Sequence, residues 1–203
     1  MPNWCNNYLT IKGDKNKINL INNLVKECKY NNIFLNLVGL EKGMTPADYE
    51  NKWFDSNVNH WGCKWDVSID GSSWEFNEDI ITASFDTAWS PPIGFCQKLA
   101  EIYQVEVYIS YEEGGVGFCG ETYCHPDGTQ EDNEYPYEEG LYKTQNDHFW
   151  EGHMESTMEW LVEENRDDES FDIVEYVNEH YNFCTERERE DIVKDYKSNI
   201  ENE

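Results

Sequence analysis

The sequence SPPIGFCQKLAEIYQVEVYISY, residues 90–111, contains a helix signal followed directly by a strand signal. Ser90 can cap a helix that has proline in its first turn. Phe95 and Leu99 lie four residues apart and begin an apolar face on that helix. From residue 105 to 111 apolar and polar side chains alternate, which is typical of a half-buried strand. The stretch therefore predicts a helix that leads into a strand of a sheet.

The residues before this stretch predict a similar unit. Apolar side chains recur with a spacing of 3.6 residues after Asp14, which can cap a helix, and Asp70-Gly71 is a turn signal between two alternating runs. The predicted elements are a strand at 8–11, a helix at 14–28, a strand at 33–40, an irregular segment at 41–63 and a hairpin formed by 65–69 and 74–85.

The residues after it predict a returning strand at 116–123, reached through the Gly114-Gly115 turn. The order of elements is then β-α-β, a hairpin, and α-β-β. This order predicts an α+β fold, in which a ferredoxin-like antiparallel sheet carries helices on one face. We assign this domain to residues 1–128.

The C-terminal third has a different character. Residues 129–146 are polar and acidic, with Pro136 and Gly140, and we expect a linker there. Residues 147–203 contain three apolar patterns with helical spacing, separated by acidic residues. We therefore expect an acidic C-terminal helical extension.

The net charge of the 203-residue chain is −27, from 15 basic and 42 acidic side chains. Residues 1–100 contain 9 basic and 12 acidic side chains, whereas residues 101–203 contain 6 and 30. Binding to phosphates requires cations, so nonspecific binding to nucleic acids or anionic membranes is disfavoured. The anionic field belongs almost entirely to the second half of the chain.

The cellular location follows from three weak signals. The chain starts without a basic region and apolar run of the kind that secretory signals have, and no stretch approaches 18 apolar residues. Seven scattered cysteines are typical of reduced thiols. We expect a protein of the bacterial cytoplasm that does not bind membranes.

Four short motifs resemble a known family. They are Pro2-Asn3-Trp4-Cys5-Asn6-Asn7, Trp61-Gly62-Cys63-Lys64-Trp65-Asp66, Thr87-Ala88-Trp89-Ser90-Pro91-Pro92, and Tyr111-Glu112-Glu113-Gly114 with Phe118-Cys119-Gly120. In this order they resemble the YubB-like, ferredoxin-like proteins of phages and plasmids, over about residues 1–125. Cys63 stands where the family usually has Thr or a similar residue, so the resemblance does not imply a chemical role for this thiol.

The resemblance implies a ferredoxin-like fold and an origin in a bacteriophage or another mobile element. It carries over no catalytic residues and no iron–sulfur cluster, because a fold does not determine a function. We assign no catalytic residue, no cofactor and no metal site.

Two motifs suggest chemistry that their context does not support. Residues 115–120 fit G-x-G-x-x-G, but a dinucleotide site needs a helix directly afterwards, and a strand pattern follows instead. Cys119, Cys124 and His125 could contribute to a zinc site, but no second close pair of ligands exists. We interpret the first motif as a turn and the cysteines as buried thiols.

Each of the first three motifs contains tryptophan, and asparagine residues flank Trp4 in the first. One interpretation is core packing, and the other is a concave site for a small ligand or peptide. If the second holds, the site residues are Trp4, Asn6, Trp61, Lys64, Trp65 and Trp89.

The acidic helices suggest a second kind of binding surface. The residues that we assign to it are Glu151, Glu155, Glu159, Glu163, Asp172, Glu175 and Glu179. Dense carboxylates on a helix can imitate the phosphates of duplex DNA. We therefore expect a non-enzymatic phage or mobile-element accessory protein that binds and inhibits a basic or nucleic-acid-binding host protein, for example in defence, without binding nucleic acid itself.

Two alternatives stay open. The protein could bind or sequester a small ligand, such as a nucleotide signal, in the aromatic site, provided that Lys12, Lys64 or Lys98 converge there. It could also be an enzyme whose active site the sequence does not reveal.

Overall fold

The structure is a computed structural model that describes residues 3–28, 32–144, 147–166, 168 and 170–202. It divides into two compact units, Met1–Tyr137 and Glu138–Glu203. None of the described helices is long and apolar enough to cross a membrane.

The described residues of the first unit form six strands and four helices. In chain order they are β1 (Trp4–Lys12), α1 (Lys15–Glu27), α2 (Ile33–Val38), α3 (Pro46–Trp61), β2 (Ser72–Phe76), β3 (Ile80–Ala88), α4 (Ile93–Tyr103), β4 (Glu106–Glu113), β5 (Phe118–Cys124) and β6 (Gln130–Pro136).

The strands form one antiparallel sheet in the order β2-β3-β1-β4-β5-β6. The first four positions have the strand order of a split β-α-β fold, with β1 between β3 and β4, and β5 and β6 extend the sheet beyond β4. The predicted α+β, ferredoxin-like class is therefore confirmed.

The core lies on one face of the sheet, where the side chains alternate as predicted. Leu9 of β1 stands beside Ala83 of β3 and Ile109 of β4, and all three are buried. Helices α1, α2 and α4 contribute Ile18, Phe34 and other apolar side chains to the same cluster. The opposite face carries polar residues, as expected for an antiparallel sheet.

Three predictions for the first unit are wrong. Residues 33–38 form helix α2 instead of a strand, because the Asp66 carboxylate accepts hydrogen bonds from the first N–H groups of a helix at Phe34 and Leu35 (2.7 and 3.0 Å). The segment expected to be irregular contains α3. The hairpin turns at residues 77–79, between β2 and β3, and not at Asp70-Gly71.

The expected linker at 129–146 also requires correction. Residues 130–136 form β6, which pairs with β5, and α5 (Tyr137–Lys143) follows. The strand is polar on both faces because it is the last of the sheet, so backbone hydrogen bonds and not apolar packing hold it in place.

After α5, the second unit contains α6 (Asp147–Asn165), α7 (Ile173–His180) and α8 (Glu186–Asn202), as the three helical patterns predict. They surround a small core of their own that includes Leu161, Val177, Tyr181 and Tyr196. Thr185 and Glu188 form the predicted hydrogen bonds at the start of α8, where the Glu188 carboxylate accepts from the Thr185 backbone N–H at 2.8 Å.

Candidate functional site

The first and third motifs meet at one end of the first unit through a buried polar network. The side-chain amide of Asn7 donates to the carbonyls of Cys5 and Phe85 and to Thr87 Oγ1, at 2.8, 3.1 and 2.9 Å. Thr87 Oγ1 in turn donates to the Ser90 carbonyl at 2.8 Å. Each of these groups is satisfied inside the protein, so the network fixes how β1, β3 and the start of α4 meet.

Close backbone contact joins the second motif to the third. Ser90 Oγ donates to the Gly62 carbonyl at 2.6 Å. Gly62 has φ of +94°, and a Cβ there would lie 3.2 Å from the carbonyl oxygen of Pro91. Glycine at this position therefore permits the end of α3 to approach the start of α4, and Lys64 and Trp65 follow directly after it.

Asp66 anchors the loop that carries these side chains. Its carboxylate accepts hydrogen bonds from the backbone N–H groups of Phe34, Leu35 and Val67, between 2.7 and 3.0 Å. Burial raises the pKa of Asp66 to about 6, although the three hydrogen bonds act in the opposite direction. The loop is thus tied to α2, which presents Trp65 on a supported backbone.

Five aromatic rings and one lysine form a continuous exposed surface, which we call the aromatic surface. The centroids of Trp4 and Trp65 are 6.0 Å apart. Lys64 Nζ lies 4.5 Å from the centroid of Trp65 and 4.3 Å from that of Trp89, within the range of a cation–π interaction. The surface continues from Trp89 to Phe54 and then to Trp53, and the ring centroids of each pair are 5.9 Å apart.

The exposure of these rings is unusual for their size. Trp4, Trp65 and Trp89 are 47%, 38% and 44% exposed, and Trp53 and Phe54 are exposed to a similar degree. Trp89 also has a backbone φ of +78°, a conformation that residues other than glycine rarely adopt. Contiguous apolar surface of this kind marks an interaction site more often than an ordinary region of a monomer.

A cleft of 320 Å³ opens beside the aromatic surface. Its walls include Trp4, Trp65, Ser68 and Asp86. Burial raises the pKa of Asp86, with a smaller contribution from the charge of Glu112. The cleft can therefore hold a small group that has an apolar face and a hydrogen-bond donor or a positive charge.

The structure places the predicted aromatic site residues in three different environments. Trp4, Lys64, Trp65 and Trp89 come together on the aromatic surface. Trp61 is 1% exposed and packs against Phe34 in the core, so it is not accessible to a partner.

The amide of Asn6 lies on the polar face of the sheet, where it donates to Glu112 Oε1. Tyr137 donates to the other oxygen of Glu112 at 2.8 Å, and this carboxylate raises the pKa of Tyr137 in addition to burial. Asn6 therefore supports a buried carboxylate in the fourth motif and is not part of the aromatic surface.

Sequence reasoning missed Trp53 and Phe54, because the residues around them were expected to be irregular. The signal was present: Thr45 and Asp48 form a capping box at the start of α3, with Pro46 in its first turn. This signal predicts a helix that includes Trp53 and Phe54, and the structure exposes both rings.

The turn after β4 depends on a further buried carboxylate. Glu113 accepts hydrogen bonds from the N–H groups of Gly115 and Val116, at 3.0 and 2.5 Å. The G-x-G-x-x-G sequence is thus a turn that leads into β5, as interpreted from its context.

The cysteines are buried, and Cys119 and Cys124 of β5 point to opposite faces of the sheet. Burial raises the pKa of both thiols to about 12. Within the described part of the chain, no group of three or more His, Cys, Asp or Glu side chains is arranged to hold a metal ion.

The predicted acidic residues lie on α6 and α7 of the second unit. Glu151, Glu155, Glu159 and Glu163 are exposed and follow one another at intervals of four residues along α6. Asp172 caps α7 by accepting from the Val174 N–H at 2.8 Å, and Glu175 and Glu179 are exposed on that helix.

The match to a family model supports the fold. Residues 64–149 match the family model described as "Ferredoxin-like domain in Api92-like protein". The first unit has a ferredoxin-like fold. The crystal structure of a protein api92 from Yersinia pseudotuberculosis is similar with a TM-score of 0.46 and 10% identity, covering 66% of this chain and 98% of that one. No match was found among the curated proteins.

Proposed function

We propose that this protein is a non-enzymatic binding protein that holds a partner protein against its aromatic surface. The observation that carries the proposal is the unbroken exposed series from Trp4 through Trp65, Lys64 and Trp89 to Phe54. Tryptophan residues contribute most strongly to binding where a partner excludes water from them. The support from Asp66 and from the Asn7 network keeps the rings in place before binding, which lowers the entropic cost of association.

The partner is a basic protein that normally binds nucleic acid. The exposed glutamates of α6 are four residues apart, so successive carboxylates recur at about 6 Å along the helix axis. This row offers one negative charge per about 6 Å, against one per about 1.7 Å along duplex DNA, so it imitates part of a nucleic acid backbone. Complementary charge speeds association and disfavours acidic partners.

The biological role is that of a phage or mobile-element accessory protein. The resemblance of the four motifs to YubB-like proteins supports this origin, and a strongly acidic binding protein suits the inhibition of a host defence or nucleic-acid-processing protein. By occupying the site where that protein binds phosphates, the acidic helices act as a DNA mimic.

The cleft beside Trp4 and Trp65 favours a second candidate function, which is binding of a small ligand. Lys64 lies at this end of the unit, but Lys12 ends β1 at the opposite end from Trp4, and Lys98 lies on α4 near His60. With one lysine and Asp86 nearby, the cleft suits an uncharged or cationic ligand better than a nucleotide.

Affinity capture from bacterial lysate tests the leading proposal when surface variants are compared. The bait proteins are the wild type, the double variant Trp65→Ala/Lys64→Ala, and the control Ile102→Ala, which truncates an exposed apolar side chain of α4. A basic protein retained by the wild type and the control, lost with the double variant and released by high salt supports the proposal. Equal retention by all three baits contradicts it.

A further inference from the structure

A groove of 980 Å³ lies between α6 and α8 of the second unit. Its apolar lining comes from Met154, Met158 and Val162 of α6 and from Ile192 of α8. The valine and isoleucine are buried, whereas both methionines are half-buried and so present thioether side chains to the groove. Methionine side chains adapt to partners of different shape, which suits a docking surface.

The rim of the groove is acidic. Glu155, Glu159 and Glu163 of α6 line it together with Asp195 of α8, against one basic lining residue, Arg166. The lining therefore carries a net charge of −3. This charge disfavours nucleic acids, acidic peptides and a second copy of this chain, whose own net charge is −27.

The length of the groove indicates an elongated occupant. Its lining runs from Met154 on α6 to Arg166, directly after the end of α6, which corresponds to about 18 Å at the rise of a helix. Three turns of an α-helix span about 16 Å, so a short helix fits the length of the groove. A compact ligand would leave most of the methionine surface exposed.

We propose that this groove binds a basic amphipathic α-helix of the partner protein. The apolar side chains of the helix, spaced at i, i+4 and i+7, pack on the two methionines and Val162, and its lysine or arginine residues meet the glutamates of the rim. The inference deepens the proposed function, because it names the part of the partner that this protein recognises. It depends on the proposed function only for the identity of that partner.

A synthetic probe tests the groove without the natural partner. The probe is a labelled 18-residue peptide of leucine and lysine with one apolar helical face, about 27 Å long as a helix. Its binding to the full chain is measured by fluorescence anisotropy. A peptide of the same composition with a scrambled order, which has the same charge but no apolar face, is the probe control.

Two charge-matched variants locate the binding. Glu155→Gln/Glu159→Gln removes two charges from the rim, and Glu186→Gln/Glu190→Gln removes two exposed charges of α8 that do not line the groove. We expect the first variant to weaken peptide binding about tenfold or more and the second about threefold or less. Only the first variant removes charges that line the groove. The helical content of both, measured by circular dichroism, verifies folding.

Three outcomes overturn the groove proposal: no binding of the amphipathic peptide, equal binding of the scrambled peptide, or equal weakening by both variants. The variant Trp65→Ala separates this inference from the proposed function, because it lies in the first unit. Intact peptide binding by Trp65→Ala together with lost partner capture supports both proposals. Loss of peptide binding by this variant contradicts the assignment of the peptide to the groove.

Discussion

Asn7 donates a hydrogen bond to Thr87 in the interior of the first unit, with 2.9 Å between Nδ2 and Oγ1. The two residues come from motifs that are 80 positions apart in the chain, and both are nearly inaccessible to solvent. Around this contact the ends of β1 and β3 are held at fixed positions, and Trp4 and Trp89 project from those same ends. The buried network and the exposed rings are therefore parts of one arrangement.

The first prediction concerns the network itself. Asn7→Ala removes the donor for the Cys5 and Phe85 carbonyls and for Thr87 Oγ1. Loss of a buried donor leaves unsatisfied acceptors, so we expect the free energy of unfolding to fall by about 2–3 kcal/mol. Urea unfolding, followed by circular dichroism, measures the change.

The control for this prediction is Asn59→Ala, which changes an exposed amide on α3. Its effect should stay within about 0.5 kcal/mol. Equal stabilities of the two variants would show that the buried network does not stabilise the fold.

The second prediction concerns the backbone at Trp89. Its positive φ is unfavourable for any residue with a Cβ and is readily adopted by glycine. We expect Trp89→Gly to be more stable than Trp89→Ala by about 1 kcal/mol, because both lose the ring but only the glycine relieves the strain. Urea unfolding of the two variants measures the difference in their stability. A more stable alanine variant would contradict the prediction.

The third prediction concerns pH and Asp66. Its pKa is about 6 in the folded protein, above the value of about 3.9 expected in the unfolded chain. A raised pKa means that the folded state favours the protonated carboxyl, so its stabilising contribution is complete below about pH 4 and is lost as the pH rises through about 6. The stability of the wild type relative to Asp66→Asn should therefore decrease from about pH 4 to about pH 6.5 and stay level at higher pH.

Urea unfolding of both proteins at several pH values measures this difference. Asp70→Asn, which changes an exposed carboxyl in the same loop, is the control. A difference between the wild type and Asp66→Asn that stays constant over this pH range would show that the folded protein does not raise the pKa of Asp66.

The sequence predicts the strands of the first unit well where burial on one face imposes alternation. Residues 105–111 and the run that ends at residue 85 show that pattern, and they form β4 and β3. It fails at Ile33–Val38, whose apolar side chains fit a helix or a strand equally well. The deciding contact is the Asp66 carboxylate, more than 30 residues away in sequence, which a local pattern does not contain.

The residues of the candidate site were likewise predicted correctly only in part. The motifs identified Trp4, Lys64, Trp65 and Trp89, which the fold brings together. Periodicity alone did not distinguish Trp61, which ends α3 and turns into the core, from its exposed neighbours. Whether a tryptophan is buried or exposed at a helix end depends on tertiary packing.

The central claim is that the aromatic surface binds a protein partner, and the affinity of the captured partner for Trp89→Gly tests it most directly. This variant removes an exposed ring while relieving the backbone at the same position. With the purified partner in isothermal titration calorimetry, we expect binding to weaken by about 2 kcal/mol, the size of an interface hot spot, while Ile102→Ala binds like the wild type. Unchanged affinity of a folded Trp89→Gly variant would contradict the claim.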